Sequence, residues 1–134
     1  MNEPQRLGGS ELERTNATAQ RAIGAGIEVH RIVGPGLIEP IYATALPVEL
    51  EMRGIPYRRE VPIPARYKGR VVGTYFADFI IEDRVVLEIK CVTTVLPIFR
   101  AQLITYLRLT GKRLGLILNF RCPLLKDGIE RVIL

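Results

Sequence analysis

The chain has 134 residues, 48% of them hydrophobic and 25% charged, which is ordinary for a globular domain that buries a core of its own. Its apolar runs are shorter than the roughly 20 residues of a membrane span, residues 1–10 lack the apolar segment of a signal peptide, and its two cysteines are too few for a disulfide framework or a four-cysteine metal site. Cytoplasmic residence is therefore expected, and the net charge of +5 permits a nucleic-acid partner without proving one.

The N-terminal part of the chain predicts two helices. Residues 1–10 are expected to form a flexible N-terminus, and residues 11–134 a single domain. Apolar residues at helical spacing predict a first helix over 12–33. A second helix is predicted over 40–53, and Pro47 in its interior predicts a kink.

The C-terminal part of the chain predicts a sheet. A first strand, interrupted by prolines typical of an edge strand, covers 55–63. The remaining predicted elements are strands at 74–81 and 85–90, a helix at 97–109, and strands at 114–120 and 129–134. A meander followed by a crossover helix gives a mixed central sheet flanked by helices, hence an α/β fold with the core order αβββαβ.

The most informative residues are Asp78 and the triplet Glu88-Ile89-Lys90. Carboxylates and a lysine are costly on strands that otherwise form a core. Side chains alternate along a strand, so Glu88 and Lys90 share a face, and the short polar link at 82–84 predicts a hairpin that brings Asp78 close to them. Such a group suits a site that binds Mg²⁺ and orients a water for attack on a phosphodiester. The alternative is a pair of strand-end acids satisfied by arginines.

Each residue of this group has a predicted role. Asp78 and Glu88 are candidate metal ligands, with the backbone carbonyl of Ile89 as a third, because Mg²⁺ prefers hard oxygen ligands. Lys90 is predicted to orient or deprotonate the attacking water, or to neutralise charge at the phosphate, and two nearby carboxylates favour the charge-neutralising role. Cys91, which continues the strand, is expected to be a buried thiol.

Several motifs together resemble a known family. They are Gly36-Leu37-Ile38-Glu39-Pro40-Ile41-Tyr42, which fits GxxExxY, and Ile27-Glu28-Val29-His30, Gly34-Pro35-Gly36, Tyr67-Lys68-Gly69, Ala77-Asp78, Glu88-Ile89-Lys90, Gln102-Leu103-Ile104-Thr105-Tyr106 and Asn119-Phe120. Over roughly residues 11–134 the chain resembles the GxxExxY family of the PD-(D/E)XK nuclease superfamily. The resemblance implies a restriction-endonuclease-like core and, by inference from the superfamily, a nuclease that uses Mg²⁺ or Mn²⁺.

The resemblance also adds candidate site residues. Glu39 would be a third carboxylate, held through the metal or a water, or else a plain acid favoured by the helix dipole. Gln102 and Tyr106, one helical turn apart, resemble the QxxxY element of RecB-type nucleases, although a core Tyr is the alternative. His30 is a further candidate metal ligand or a structural histidine. Tyr42 is expected to support the site by packing or by a hydrogen bond to Glu39.

Three functional hypotheses follow. The first is a metal-dependent nuclease that hydrolyses DNA phosphodiester bonds with a metal-activated water; DNA is favoured over RNA, and a homodimer or a partner protein is compatible with the sequence. The second is a nucleic-acid-binding module, or a subunit of a larger DNA-processing complex, that is inactive alone. The third is a structural protein that merely keeps the fold.

Overall fold

The structure, a computed structural model, describes the backbone of residues 3–134 and the side chains from residue 10 onward. Its elements are α1 (Glu3–Val33), α2 (Glu39–Met52), β1 (Tyr57–Tyr67), β2 (Arg70–Ile81), β3 (Val85–Lys90), α3 (Pro97–Thr110), β4 (Leu114–Asn119), a short 3-10 helix (Leu125–Gly128) and β5 (Ile129–Ile133). The predicted αβββαβ order is confirmed from α2 to β4. Within the described residues, no helix is long and apolar enough to cross a membrane.

The first helix begins earlier than the sequence predicts. It starts at Glu3 rather than at Leu12, so it enters the segment that was predicted to be flexible. The early turns carry no apolar periodicity, which is the signal that a sequence-based prediction depends on. The predicted flexibility of residues 1–10 stays a prediction, and residues 1 and 2 lie outside the described part. The second helix runs unbroken through Pro47.

The five strands form one mixed sheet in the order β1-β2-β3-β4-β5. The β3–β4 pair is parallel, with α3 as the crossover between its strands, and the other pairs are antiparallel. All of β4 and all of β3 up to Ile89 are buried, as expected for central parallel strands covered on both faces. The first strand lies at the edge of the sheet, as its prolines predict.

Helices cover both faces of the sheet and create two cores. On one face α1 and α2 pack against the strands, and Leu46 of α2 shares this core with the strand residues Phe79 and Leu87. On the other face α3 packs against the alternate strand residues, and Leu103 of α3 shares that core with Val86. The molecule therefore has three layers, and strand residues alternate between the two cores.

Two glycines let helices approach the sheet closely. A Cβ on Gly26 of α1 would lie 2.9 Å from the side chain of Leu118 on β4. On the other face, a Cβ on Gly115 of β4 would lie 2.8 Å from three atoms of the Leu103 side chain of α3. Leu103 is fully buried, so it has little room to move away.

We expect Gly115→Ala to destabilise the protein by about 1–3 kcal/mol, because the added methyl overpacks a closed core. The measurement is the free energy of unfolding in urea. Gly73→Ala on β2 is the matched control, since nothing lies within 4 Å of a Cβ at that position. Equal stability of the two variants would contradict the close approach of α3 to β4.

Candidate functional site

Asp78 and Glu88 face each other at the point where β2 and β3 separate. The paired residues of these strands end at Phe79 and Leu87, and the next pair in register would be Asp78 and Glu88. Instead, the backbone N–H of Asp78 donates to Oε2 of Glu88 at 2.7 Å. The backbone N–H of Ile89 donates to Oδ2 of Asp78 at 2.8 Å. Each carboxylate thus satisfies a backbone donor that the interrupted sheet leaves without a partner.

The alternation of β2 also breaks at Asp78. Phe79 packs in the α1–α2 core, yet Ala77, two residues away, packs in the α3 core, although a regular strand would place both on one face. On β1, Glu60 lies opposite Asp78, and the two residues are not paired although the residues on either side of them are. The φ angle of Glu60 is 52°. A left-handed backbone at a non-glycine residue costs roughly 1–2 kcal/mol. One of the four left-handed non-glycine residues in the described part of the chain therefore lies beside the acids.

The carboxylates oppose one another's ionisation. Glu88 is only 5% exposed; burial, and then the charge of Asp78, raise its pKa to about 8. Burial also raises the pKa of Asp78, although the Ile89 N–H acts in the opposite direction. The pKa of Glu39, at the start of α2, is raised by burial and by the charge of Asp78. A cation bound among these groups would relieve the unfavourable charge.

Lys90 extends from the same strand as Glu88 and is held by an aromatic ring. Its Nζ lies 4.5 Å from the centroid of the Phe99 ring on α3. Among the described side chains, no ion pair joins Lys90 to Asp78 or Glu88. The cation–π contact therefore positions the ammonium group beside the acids and leaves its donors for another partner. No sequence pattern singled out Phe99 beyond its place in the first turn of a predicted helix.

Tyr106 is buried in the α3 core, which was one of its two predicted alternatives, and it lies close enough to Glu88 and Asp78 to be affected by their charges. Burial, followed by the charges of Glu88 and Asp78, raises the pKa of Tyr106 to about 12. The Gln102 side chain, one turn earlier on α3, opposes the rise. The centroid of the Tyr75 ring on β2 lies 5.5 Å from that of the Tyr106 ring, so β2 also packs against Tyr106.

His30 has a partner outside the acidic group. Its ring is buried on α1, and its Nε2 lies 2.7 Å from the carbonyl oxygen of Cys122. This contact accounts for the histidine as a structural residue, which was one of the two predicted alternatives. Across residues 10–134, no three side chains of His, Cys, Asp or Glu come together in a group that could hold a metal ion. A site at the acids would thus depend on Asp78, Glu88, backbone oxygens and water.

Tyr42 packs in the core, which was one of its two predicted alternatives, and its hydroxyl bonds to the backbone rather than to Glu39. The side chain is fully buried; its hydroxyl donates to the carbonyl of Gly34 at 2.6 Å and accepts from the N–H of Leu37 at 3.2 Å. The thiol of Cys91 donates to the carbonyl of Leu37 at 2.6 Å. Cys91 is half-buried rather than buried, because β3 ends one residue before it. Both side chains fix the loop that leads into α2.

Asn119 is a positioning residue for which the sequence predicted no role. It is 3% exposed and lies beside Lys90 in the β3–β4 register. Its side-chain NH₂ donates to the carbonyl of Val92 at 2.8 Å, and its Oδ1 accepts from the N–H of Val92 at 3.1 Å and of Arg121 at 3.2 Å. Asn119 therefore fixes the chain that follows Lys90. Its sequence signals were a polar residue at the end of an apolar strand and the Asn119-Phe120 pair in the family resemblance.

The donor set fits a divalent cation with hard-ligand preference. Asp78 and Glu88 each use one oxygen for a backbone N–H, which leaves the other oxygen of each carboxylate for a metal. Mg²⁺ is usually bound through one or two carboxylates and keeps several waters. Glu39 interacts electrostatically with both acids but does not join them in a three-carboxylate group.

We expect Glu88→Gln to stabilise the metal-free protein, and more so at pH 9 than at pH 5. The folded-state pKa of Glu88, about 8, lies above its ordinary value of 4.5, so the unfolded chain loses its proton first and stability falls as the pH rises between these values. Glutamine keeps an acceptor for the Asp78 N–H without the charge. The expected gain at pH 9 is at least about 1.4 kcal/mol, the equivalent of one pKa unit.

Urea unfolding in EDTA at both pH values measures this gain. Glu13→Gln, at an exposed position on α1, is the matched control and should leave stability unchanged. Lower stability of Glu88→Gln at pH 9 would show that the charge of Glu88 is compensated without a metal.

Comparison with known proteins identifies the family to which this arrangement belongs. A family model described as the PD-(D/E)XK nuclease superfamily matches residues 16–132. No significant match was found among curated proteins or among solved structures. The match covers most of the chain, and with the mixed sheet and its helices it confirms the restriction-endonuclease-like fold.

Proposed function

Because this chain belongs to the PD-(D/E)XK nuclease superfamily, we propose that it is a metal-dependent nuclease that hydrolyses phosphodiester bonds in DNA and belongs to the GxxExxY group. The observation that carries the proposal is the pair of carboxylates, half-buried Asp78 and buried Glu88, where β2 and β3 separate, with Lys90 beside them. We infer that residues 11–134 form a single nuclease-like domain.

In this proposal Asp78 and Glu88 hold Mg²⁺ or Mn²⁺, with the Ile89 carbonyl as a third ligand. The bound cation would lower the pKa of a water and offset charge on the phosphate. The two carboxylates are preorganised for this role, because each is oriented by a backbone N–H and neither has to move. Glu39 lies close enough to interact with both and would act through a bound water.

The remaining residues act on the substrate side. The ammonium group of Lys90, which lies over the ring of Phe99, would neutralise charge on the phosphate or orient the attacking water. With its raised pKa, Tyr106 keeps its proton at neutral pH and can donate a hydrogen bond to a phosphate oxygen. Gln102 supports that hydroxyl.

A nucleic-acid-binding module that is inactive alone is the second candidate. The net charge of +5 favours it, since phosphate contacts alone can supply most of an affinity for DNA. It predicts salt-dependent binding with no metal-dependent product, and it predicts that Glu88→Gln binds DNA as the wild type does.

We expect Asp78→Asn, Glu88→Gln and Lys90→Ala each to lower DNA cleavage by at least about 100-fold, because each removes a charge that the reacting phosphate or its cation requires. The assay uses single-stranded, duplex and branched DNA with Mg²⁺, Mn²⁺ or EDTA. Asp127→Asn and Glu13→Gln, at exposed positions, are the matched controls and should cut normally. Full activity of all three site variants, or undiminished cutting in EDTA, would contradict the nuclease proposal.

Metal binding has a readout that does not depend on cleavage. We expect Mg²⁺ or Mn²⁺ at ten times its dissociation constant to stabilise the wild type by about 1.4 kcal/mol, since the ion binds the folded state alone. Thermal unfolding with and without the ion measures this. The double variant Asp78→Asn/Glu88→Gln should show no increase. An equal increase in the double variant would place the metal elsewhere, whereas an increase in the wild type without any cleavage would favour the binding module.

A further inference from the structure

The β1–β2 hairpin extends far beyond the rest of the sheet. β3 pairs with β2 only at residues 79–81, whereas β1 stays paired with β2 as far as Tyr67 and Arg70. We call residues 61–77 the arm. At about 3.3 Å per residue, the arm places Arg70 about 25 Å beyond Asp78.

The outer part of the arm is exposed and largely apolar. From residue 64 to residue 76 every residue except Ala65 is exposed. The exposed fractions are 63% for Tyr67, 66% for Val72 and 57% for Phe76. A continuous group of exposed apolar and aromatic side chains is typical of a surface that binds a partner.

The charge of the arm indicates the chemistry of that partner. Residues 61–77 contain Arg66, Lys68 and Arg70 at the tip and no Asp or Glu. None of the three cations belongs to an ion pair within the described part of the chain. Cations interleaved with aromatic rings suit a nucleic acid, because phosphates meet the cations and bases stack on the rings.

The arm is continuous with the acidic site. Tyr75, in the inner part of the arm, lies 5.5 Å from the ring of Tyr106, whose hydroxyl senses the charges of Glu88 and Asp78. A nucleic acid that follows the arm inward would therefore reach the carboxylates.

We propose that the arm is a nucleic-acid-binding element, with its tip cations on phosphates and its exposed rings on bases or sugars. The direction of the bound strand toward Asp78 and Glu88 rests on the proposed function, whereas binding by the arm does not require cleavage. A second copy of the chain suits the arm poorly, because two such tips would bring like charges together. Pro62 and Pro64 also lack the N–H groups needed to add a strand at the β1 edge.

The test compares two triple variants with equal loss of charge. The arm variant is Arg66→Ala/Lys68→Ala/Arg70→Ala. The control removes Arg14, Arg31 and Lys126, which are exposed on α1 and the 3-10 helix, away from β1. Dissociation constants for a labelled 30-base-pair duplex and a 30-nucleotide single strand are measured in EDTA between 50 and 200 mM salt.

We expect the arm variant to bind at least tenfold more weakly at 150 mM salt, and its plot of log affinity against log salt to flatten by about 0.9 for each lost phosphate contact on the duplex. The control should stay within threefold of the wild type. Phe76→Ala, which changes no charge, should weaken single-strand binding about fivefold or more through lost stacking. Equal affinities for the two triple variants would overturn the inference.

Two further outcomes separate this inference from its alternatives. If the wild type is a dimer in light scattering, and Phe76→Ala makes it monomeric without loss of DNA affinity, the arm is an interface between copies and the inference falls. If the wild type cuts DNA and the arm variant binds and cuts equally well, only the inference falls. If the wild type cuts nothing but the arm variant loses binding, the inference stands and the nuclease proposal falls.

Discussion

The site depends on the reciprocal contact in which Asp78 and Glu88 each accept the backbone N–H that the separating strands leave without a partner. A sheet that opens inside a core exposes donors that must be satisfied, and here side-chain carboxylates do so. The same contact fixes the orientation of both acids and forces the break in alternation between Ala77 and Phe79. Strain at Glu60 on the neighbouring strand belongs to the same local distortion.

This arrangement favours function at the expense of stability. Burial raises the pKa of half-buried Asp78 and of buried Glu88, so both acids resist ionisation, and a protein selected for stability alone would place apolar residues there. The surrounding parts keep the group in place. Asn119 fixes the chain after Lys90, the ring of Phe99 holds the ammonium group, and Tyr42 fixes the loop that leads to α2. Three separate elements thus position Lys90, the chain that follows it and the start of α2 around the acids.

The layout of the sheet decides where the acids lie. β4 and most of β3 are buried on both faces, and Glu88 on β3 is buried with them, whereas Asp78 on β2 is half-buried. The opening between β2 and β3 lies at the end of the short central strands, where the longer β1–β2 hairpin continues outward. The carboxylates and the start of the arm therefore both lie where β2 separates from β3.

The sequence by itself determined the order of elements, the edge position of β1 and the shared face of Glu88 and Lys90, because apolar periodicity, prolines and strand alternation are local properties. Through the family resemblance it also proposed Gln102 and Tyr106 as site residues, with a core tyrosine as the alternative. Only the tertiary structure decided that His30 binds the carbonyl of Cys122, that Tyr42 holds a loop and that Asn119 fixes Val92. Such hydrogen bonds depend on which chain segments meet in space, and no pattern along the chain specifies a partner that is 92 residues away.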